Sequence, residues 1–249
     1  MSSGDEPMKR IPNPFARFWR SVKTVGATRT VQRLIQRLIP SHLFDFNALV
    51  LIQTSMEIFL EESKDDPQNP DLRHRWASLQ DLDLLTCGGL TPDQIQEYFD
   101  AGGRVAVTTN PDDQVIGYNW SLLDYANSQG WMRFTYAPTD IWGAHNYVAP
   151  AYRGQRIAGQ IRRFVYLQLQ SEGYQRSAGL VETLNRSALQ TWASPANRLL
   201  GALFFVRIGH FIVYRIGRKW GAGFYGGDRP FRLSTADIES ISTKGQVVK

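Results

Sequence analysis

The stretch that decides the fold is Val148-Ala-Pro-Ala-Tyr-Arg-Gly-Gln-Arg-Ile-Ala-Gly-Gln-Ile161. An aromatic and β-branched run predicts a strand that ends at the proline, and a loop with arginine and glycine then leads into a helical apolar pattern. Such a corner gathers backbone N–H groups that have no acceptor inside the helix, and the helix dipole adds partial positive charge. The sequence therefore predicts an anion site here, most often for phosphate.

The spacing within this stretch separates it from two common phosphate loops. A dinucleotide-binding turn needs Gly-x-Gly-x-x-Gly and a P-loop needs Gly-x-x-x-x-Gly-Lys-Ser/Thr, and neither is present. The stretch resembles instead the acetyl-CoA loop of the GNAT superfamily of N-acetyltransferases, which reads Gln/Arg-x-x-Gly-x-Gly/Ala. Arg153 stands at the leading position and Ala158 at the closing one. Arg156 replaces the middle glycine, so a Cβ lies where the superfamily has none.

The order of the remaining predicted elements agrees with that resemblance. Thr91-Pro-Asp-Gln94 is a capping box that begins a helix, and Gly102-Gly103 end it. Two strands around a polar turn form an antiparallel hairpin. The predicted strands are Leu49–Ile52, Arg104–Thr109, Gln114–Trp120, Met132–Tyr136, one that runs to Val148, Ala178–Leu184, Leu203–Ile208 and Phe211–Ile216, with a helix at Ser187–Leu200.

These elements predict an α+β fold (an α/β three-layer arrangement) with a mixed, mostly antiparallel sheet flanked by helices. The resemblance implies that this is the acyl-CoA N-acyltransferase fold of the GNAT superfamily. We expect residues 1–40 to form a basic amphipathic arm, residues 41–232 the acyltransferase domain with a core at about 73–220, and residues 233–249 a loose tail. The 249 residues, 43% of them apolar, are enough for one large core. A single cysteine, Cys87, suits a reducing compartment, so the expected location is cytoplasmic.

The N-terminal arm is strongly basic. Eight lysine and arginine residues lie between Lys9 and Arg37, and no acidic residue occurs between Pro7 and Phe44. We weigh peripheral contact of residues 9–38 with an anionic membrane against a solvated tail whose last turn packs on the domain. No nucleic-acid partner is expected, because no motif of that kind is present. One side of a short helix would be apolar, through Val31, Leu34, Ile35 and Leu38.

Coenzyme A would bring a diphosphate and a thioester to the predicted site, and no metal is expected. Backbone amides from Gln155 to Gly159 would donate to the diphosphate, and Gly154 would permit close approach. The guanidinium groups of Arg153 and Arg156 would add charge-assisted contacts. The predicted cofactor-binding residues are Tyr147, Val148, Arg153, Gly154, Gln155, Arg156, Ile157, Ala158, Gly159 and Asn185.

The resemblance further implies that the fourth and fifth strands splay apart and hold the pantetheine arm between them. The fourth strand would be Asn146-Tyr147-Val148, with one N–H directed at the thioester oxygen. Losing one such donor costs about 3–4 kcal/mol in well-studied oxyanion holes. Asn185, after the fifth strand, would contact the cofactor arm, and a plain helix cap is the compatible alternative.

The predicted catalytic residues are Glu182, His145 and Tyr147. An acceptor amine must lose a proton, and Glu182, His145 and Asp140 lie near strand ends where a base could reach it. Each of these could equally serve a structural purpose. The resemblance implies a tyrosine that protonates the leaving thiolate, but Asn197 occupies the matching position. Either the thiolate leaves without such an acid, or Tyr147, Tyr214 or another group replaces it.

The sequence thus predicts an acyl-CoA-dependent N-acyltransferase, with acetyl transfer to a small-molecule or peptide amine by direct attack through a tetrahedral intermediate. Two alternatives stay open. The protein could be a non-catalytic or membrane-peripheral binding protein on a degenerate fold of this kind. It could also be an acyltransferase that uses a longer acyl chain, with Leu199–Ile216 lining the groove.

Overall fold

The computed structural model describes residues 39–40, 43–78, 81, 85–128, 131–183, 185, 188–189, 194–217, 219–226 and 230–238. The basic arm up to residue 38 lies outside the described residues, so its contact with a membrane stays a prediction. In the described part of the chain, no helix combines the length and the apolar character needed to cross a membrane.

The predicted strands occur in the predicted order, and the structure adds one helix and four strands between and after them. In chain order they are β1 (Phe44–Ser55), α1 (Met56–Glu62), β2 (Arg73–Trp76), α2 (Pro92–Asp100), β3 (Arg104–Thr109), β4 (Val115–Leu122), β5 (Ala126–Ser128), β6 (Met132–Thr135), β7 (Asp140–Val148), α3 (Ile157–Ser171), β8 (Arg176–Glu182), β9 (Asn197–Ile208), β10 (Phe211–Ile216), β11 (Lys219–Phe224) and β12 (Phe231–Ser234).

A nine-stranded sheet with the order β11-β10-β9-β1-β8-β7-β4-β3-β2 is the centre of the fold. All neighbouring strands in it are antiparallel except β7 and β8. A second sheet, β12-β6-β5, covers part of one face. This mixed, mostly antiparallel α+β architecture with flanking helices confirms the predicted fold class.

The two faces of the large sheet bury different residues. On one face, α3 packs over β3, β4 and β7, and its side chains Ile157, Ile161 and Val165 lie in a cluster with Ile141. Gly117 on β4 allows this approach, because a Cβ there would lie 3.1 Å from the Cδ1 atom of Ile161. On the other face, α2 and the small sheet cover a larger cluster built around buried aromatic side chains.

Local sequence patterns are confirmed where hydrogen bonds are local. Thr91 and Gln94 form the predicted capping box at the start of α2. The predicted hairpin is β3 and β4, joined by the turn after Thr109. The predicted strand Leu49–Ile52 is part of the longer β1, which continues directly into α1.

The predicted helix at Ser187–Leu200 is wrong in its last part. Ala188 and Leu189 are helical, but β9 begins at Asn197 and pairs with β1 from Thr54 onward. Pairing with a neighbouring strand satisfies the backbone of this apolar stretch, which outweighs its helical preference.

The chain also remains packed beyond residue 232, where we placed the start of a loose tail. β12 runs to Ser234 and pairs in parallel with β6, and residues 235–238 are helical. Leu233 is 7% exposed and Ile238 is fully buried, so both side chains belong to the core under the small sheet. Residues 239–249 lie outside the described residues.

Candidate functional site

The parallel strands β7 and β8 are paired at one end only. Their register partners are Asp140 with Arg176, Ile141 with Ser177, and Trp142 with Ala178. Both strands continue, β7 to Val148 beside β4 and β8 to Glu182 beside β1, without further pairing to each other. The two strands therefore enclose an open wedge, which is the splayed arrangement that the resemblance implies.

An ion pair with a buried carboxylate closes the narrow end of the wedge. The Asp140 carboxylate is 1% exposed and accepts hydrogen bonds from Arg176 Nε at 2.8 Å and Gln53 Nε2 at 3.2 Å. Because Asp140 and Arg176 are also register partners, the pair ties β7 to β8 where the strands are still joined. Asp140 thus has a structural role at the closed end, and it does not line the open part as a candidate base.

A β-bulge in β7 lies beside the wedge. Asn119 pairs with Asn146 and Ser121 with Gly143, so that two residues of β7, Ala144 and His145, oppose one residue of β4. A bulge of this kind interrupts the ladder and redirects side chains. His145 is the redirected residue.

Two of the predicted catalytic residues meet at this bulge. The rings of His145 and Tyr147 lie against Tyr118, with centroids 5.6 Å and 5.4 Å away. Glu182 ends β8 across the wedge and pairs with Leu49, whose side chain belongs to the same core cluster as Tyr118. All three predicted catalytic side chains therefore emerge on the same face of the sheet, on both sides of the wedge.

His145 has the properties of a neutral base. Its Nδ1 atom is buried and has no hydrogen-bond partner among the described residues. Burial lowers the pKa of the ring, because the imidazolium form would lose its hydration. His145 is consequently uncharged near neutral pH and holds a free ring nitrogen. Glu182, in contrast, is exposed and accepts a hydrogen bond from Asn47 Nδ2 at 3.4 Å.

The open end of the wedge leads to the predicted anion corner. A single 3-10 turn, Pro150–Tyr152, follows β7. Gly154 and Arg156 then take positive φ angles of 82° and 59°. The helix α3 begins at the next residue, so that the corner is formed by two left-handed residues in close succession.

Free backbone amides are present at this corner. The N–H groups of Ile157 and Ala158, in the first turn of α3, have no acceptor in the part of the chain that the structure describes. The amide of Gly159, which we included in the anion site, donates instead to Arg156 O at 3.0 Å. A pocket of about 420 Å³ opens at the corner, lined by Val148, Tyr152, Arg153, Gly154, Arg156, Ile157 and Ala158.

Both arginines of the corner have protein partners. Arg153 Nε donates to Val148 O at 3.1 Å. Arg156 Nη1 lies 2.9 Å from Asp66 Oδ1, and both side chains are largely exposed, at 68% and 47%. Asp66 was not among the predicted site residues. It lies in the acidic loop after α1, and nothing in the sequence indicates that this loop crosses the start of α3.

The remaining predicted site residues have local roles in the structure. Asn185 Oδ1 accepts from Ala188 N at 3.2 Å, which is the helix-cap geometry, and its contact with a cofactor stays a prediction. Gln155 is exposed in the loop. Tyr214 lies on β10, four strands from β7, or about 19 Å at the usual strand spacing, too far to protonate a thiolate in the wedge.

Comparison with known proteins gives a remote likeness only. No family model and no curated protein matches the chain. A Drosophila protein solved by structural genomics aligns with a TM-score of 0.47 and 10% identity, over 79% of this chain and 67% of its own. A GNAT-family acetyltransferase of Novosphingobium aromaticivorans gives 0.45 and 15%, over 65% and 63%. A Staphylococcus epidermidis protein of unknown function gives 0.44 and 11%, over 71% and 65%. This chain thus spans about two thirds of each, and TM-scores below 0.5 carry no information about the site.

Proposed function

We propose that this protein transfers an acyl group, acetyl in the first instance, from acyl-CoA to an amine. One observation supports the proposal above all: the wedge between β7 and β8 opens toward the free amides of Ile157 and Ala158. The strand β7 therefore connects the anion corner to the wedge, where the extended pantetheine arm would lie.

The proposed reaction uses three groups along β7. The amine nitrogen attacks the thioester carbon, and a C–N bond forms while the carbonyl oxygen becomes negative. An N–H of the Asn146–Val148 stretch would donate to that oxygen. The His145 ring would take the proton from the nitrogen, which its neutral form permits. The C–S bond then breaks, and the thiolate takes a proton from Tyr147 or water to leave as CoA thiol.

Ligand-induced stabilisation tests cofactor binding, because a ligand that binds only the folded state raises Tm. We expect millimolar acetyl-CoA to raise Tm and Gly154→Asp to abolish that rise, since a carboxylate would repel the phosphates. The matched control is Gly173→Asp at the other end of α3. Gly173 has a positive φ of 100° and open space around its Cβ position, as Gly154 does. Equal loss of the Tm rise in both variants would show that the effect is not local, against the proposal.

A thiol-release assay then separates catalysis from binding. Acetyl-, malonyl- and long-chain acyl-CoA are offered with a panel of amines, and free thiol is measured. Acetyl-dependent release that requires an amine supports the acetyltransferase. Release only from long acyl chains supports the longer-chain alternative, although β9 and β10 do not border the wedge. Binding without release from any donor would leave a non-catalytic acyl-CoA-binding protein.

A further inference from the structure

A second apolar surface lies on the α3 side of the large sheet, at the end away from the wedge. Register pairing places side chains of β1, β9, β10 and β11 on this face, for example through Phe46 with Val206 and Val206 with Val213. We call it the bare face. It consists of Phe44, Phe46, Ala48, Val50, Ala202, Phe204, Val206, Ile208, Phe211, Val213, Arg215, Trp220, Ala222 and Phe224.

The described helices lie mainly beside the bare face. α1 and α3 are on the same side of the sheet, and their main contacts are with β1, β2, β3, β4 and β7. The side chains at the rim are strongly exposed: 80% for Phe224, 62% for Trp220 and 61% for Ile208. A contiguous apolar surface on four strands is typical of a site that another segment or molecule covers.

We propose that residues 31–38 of the same chain dock on the bare face as an amphipathic helix. The described residues begin at 39–40 and 43, and Phe44 is already part of the bare face. Residues 31–38 come directly before this point, so the covalent chain holds them near the edge of the bare face. An eight-residue helix is about 12 Å long and so reaches across two to three strands. Its apolar stripe would be Val31, Leu34, Ile35 and Leu38.

The distribution of charge favours this occupant over a lipid surface. The bare face carries one charged side chain, Arg215, and no carboxylate. Lys219 pairs with Ile216 and therefore belongs to the opposite face of the sheet. Among the described residues, the bare face thus lacks the row of basic side chains at its border that would attract an anionic lipid surface. Arg33 and Arg37 lie off the stripe of residues 31–38, so docking would bury neither of these two charges.

Disulfide trapping in the full-length protein tests the proposal. In a Cys87→Ser background, Leu34→Cys or Ile35→Cys is combined with Val206→Cys on the bare face, and Arg33→Cys with Val206→Cys is the matched control. We expect mild oxidation to form an intramolecular disulfide from at least one stripe position, about tenfold faster than from the control, because residue 33 points away from the stripe. Equal rates from all three positions would overturn the proposal.

Other occupants give different results in the same experiment. Disulfides that link two molecules and increase with concentration would indicate a second copy of the chain and overturn the proposal. No disulfide, with a blue shift of Trp fluorescence on vesicles containing anionic phospholipid, would indicate a lipid surface and also overturn it.

As an independent readout, Leu34→Asp should increase binding of a hydrophobic dye to the full-length protein, whereas Arg33→Asp should not. No difference between these two variants would count against docking.

Discussion

The conformation of the anion corner can be tested by exchanging glycine and alanine at two nearby positions. Arg156 has φ 59° and ψ 14°, in the left-handed region, although it carries a Cβ. Gly159, three residues later, lies inside α3 with open space at its Cβ position. Alanine should therefore be unfavourable at position 156 and favourable at position 159.

The magnitudes follow from backbone conformation. Compared with Arg156→Gly, Arg156→Ala should be less stable by about 1 kcal/mol, because it keeps the Cβ in the left-handed region. Both variants lose the same exposed ion pair with Asp66, which contributes at most about 0.5 kcal/mol and cancels in the comparison. Gly159→Ala should instead stabilise the protein by about 0.5–1 kcal/mol, since alanine is the better residue inside a helix.

Urea denaturation of the four proteins, including the parent, measures these differences directly. For a chain of this size, 1 kcal/mol corresponds to a Tm change of about 2–4 °C, so thermal unfolding is a second readout. If Arg156→Ala were as stable as Arg156→Gly, residue 156 would not be left-handed. The free amides of Ile157 and Ala158 would then point elsewhere, and the argument for an anion site would fail.

Three further predictions concern buried polar groups. Because burial lowers the pKa of His145, the acid limb of the pH–rate profile should have its midpoint below 6.5. His145→Gln should remove this limb and lower kcat about 10²–10⁴-fold, and a limb that persists in the variant would exclude His145 as the base. Asp140→Asn should destabilise the fold by about 2 kcal/mol, and Arg176→Met should destabilise it by more, because it leaves a buried carboxylate without its ion-pair partner. The opposite order of stability in urea denaturation would contradict the role of this pair. The Arg75 guanidinium holds the pKa of the Asp81 carboxyl well below its usual value of 3.8, so this pair stabilises the folded state above pH 3.8 and the stabilisation is lost as the pH falls further. Asp81→Asn should therefore flatten the dependence of unfolding free energy on pH below 3.8, and an unchanged slope would refute this role of Asp81.

The features that the sequence predicts well depend on neighbours along the chain. The capping box at Thr91, the hairpin of β3 and β4 and the strand-loop-helix corner at Gly154 are set by a few consecutive residues, and all are present. The consequence of Arg156 at a glycine position is local as well, because the backbone at that residue must accommodate a Cβ. The structure shows how: the residue adopts the left-handed conformation and its side chain turns outward to Asp66.

The features that the sequence misses depend on which strands become neighbours. Nothing in the strand pattern of β1 indicates that it inserts between β8 and β9, in the middle of the sheet. That insertion turns Asn197 from a predicted helix into a strand residue, because β1 offers it a ladder. The contact of Asp66 with Arg156 is non-local as well, because the partners are 90 positions apart in the sequence.

The length of the wedge restricts the ligands that could use both of its ends. Between Trp142, where pairing with β8 stops, and Val148, where the anion corner begins, β7 runs for six residues, or about 20 Å at the usual rise per residue. His145 lies halfway along this distance. A free phosphate could occupy the corner but would not reach the bulge. A ligand that contacts both must therefore span about 10 Å between its phosphates and its reactive group, as the proposed acyl-CoA does.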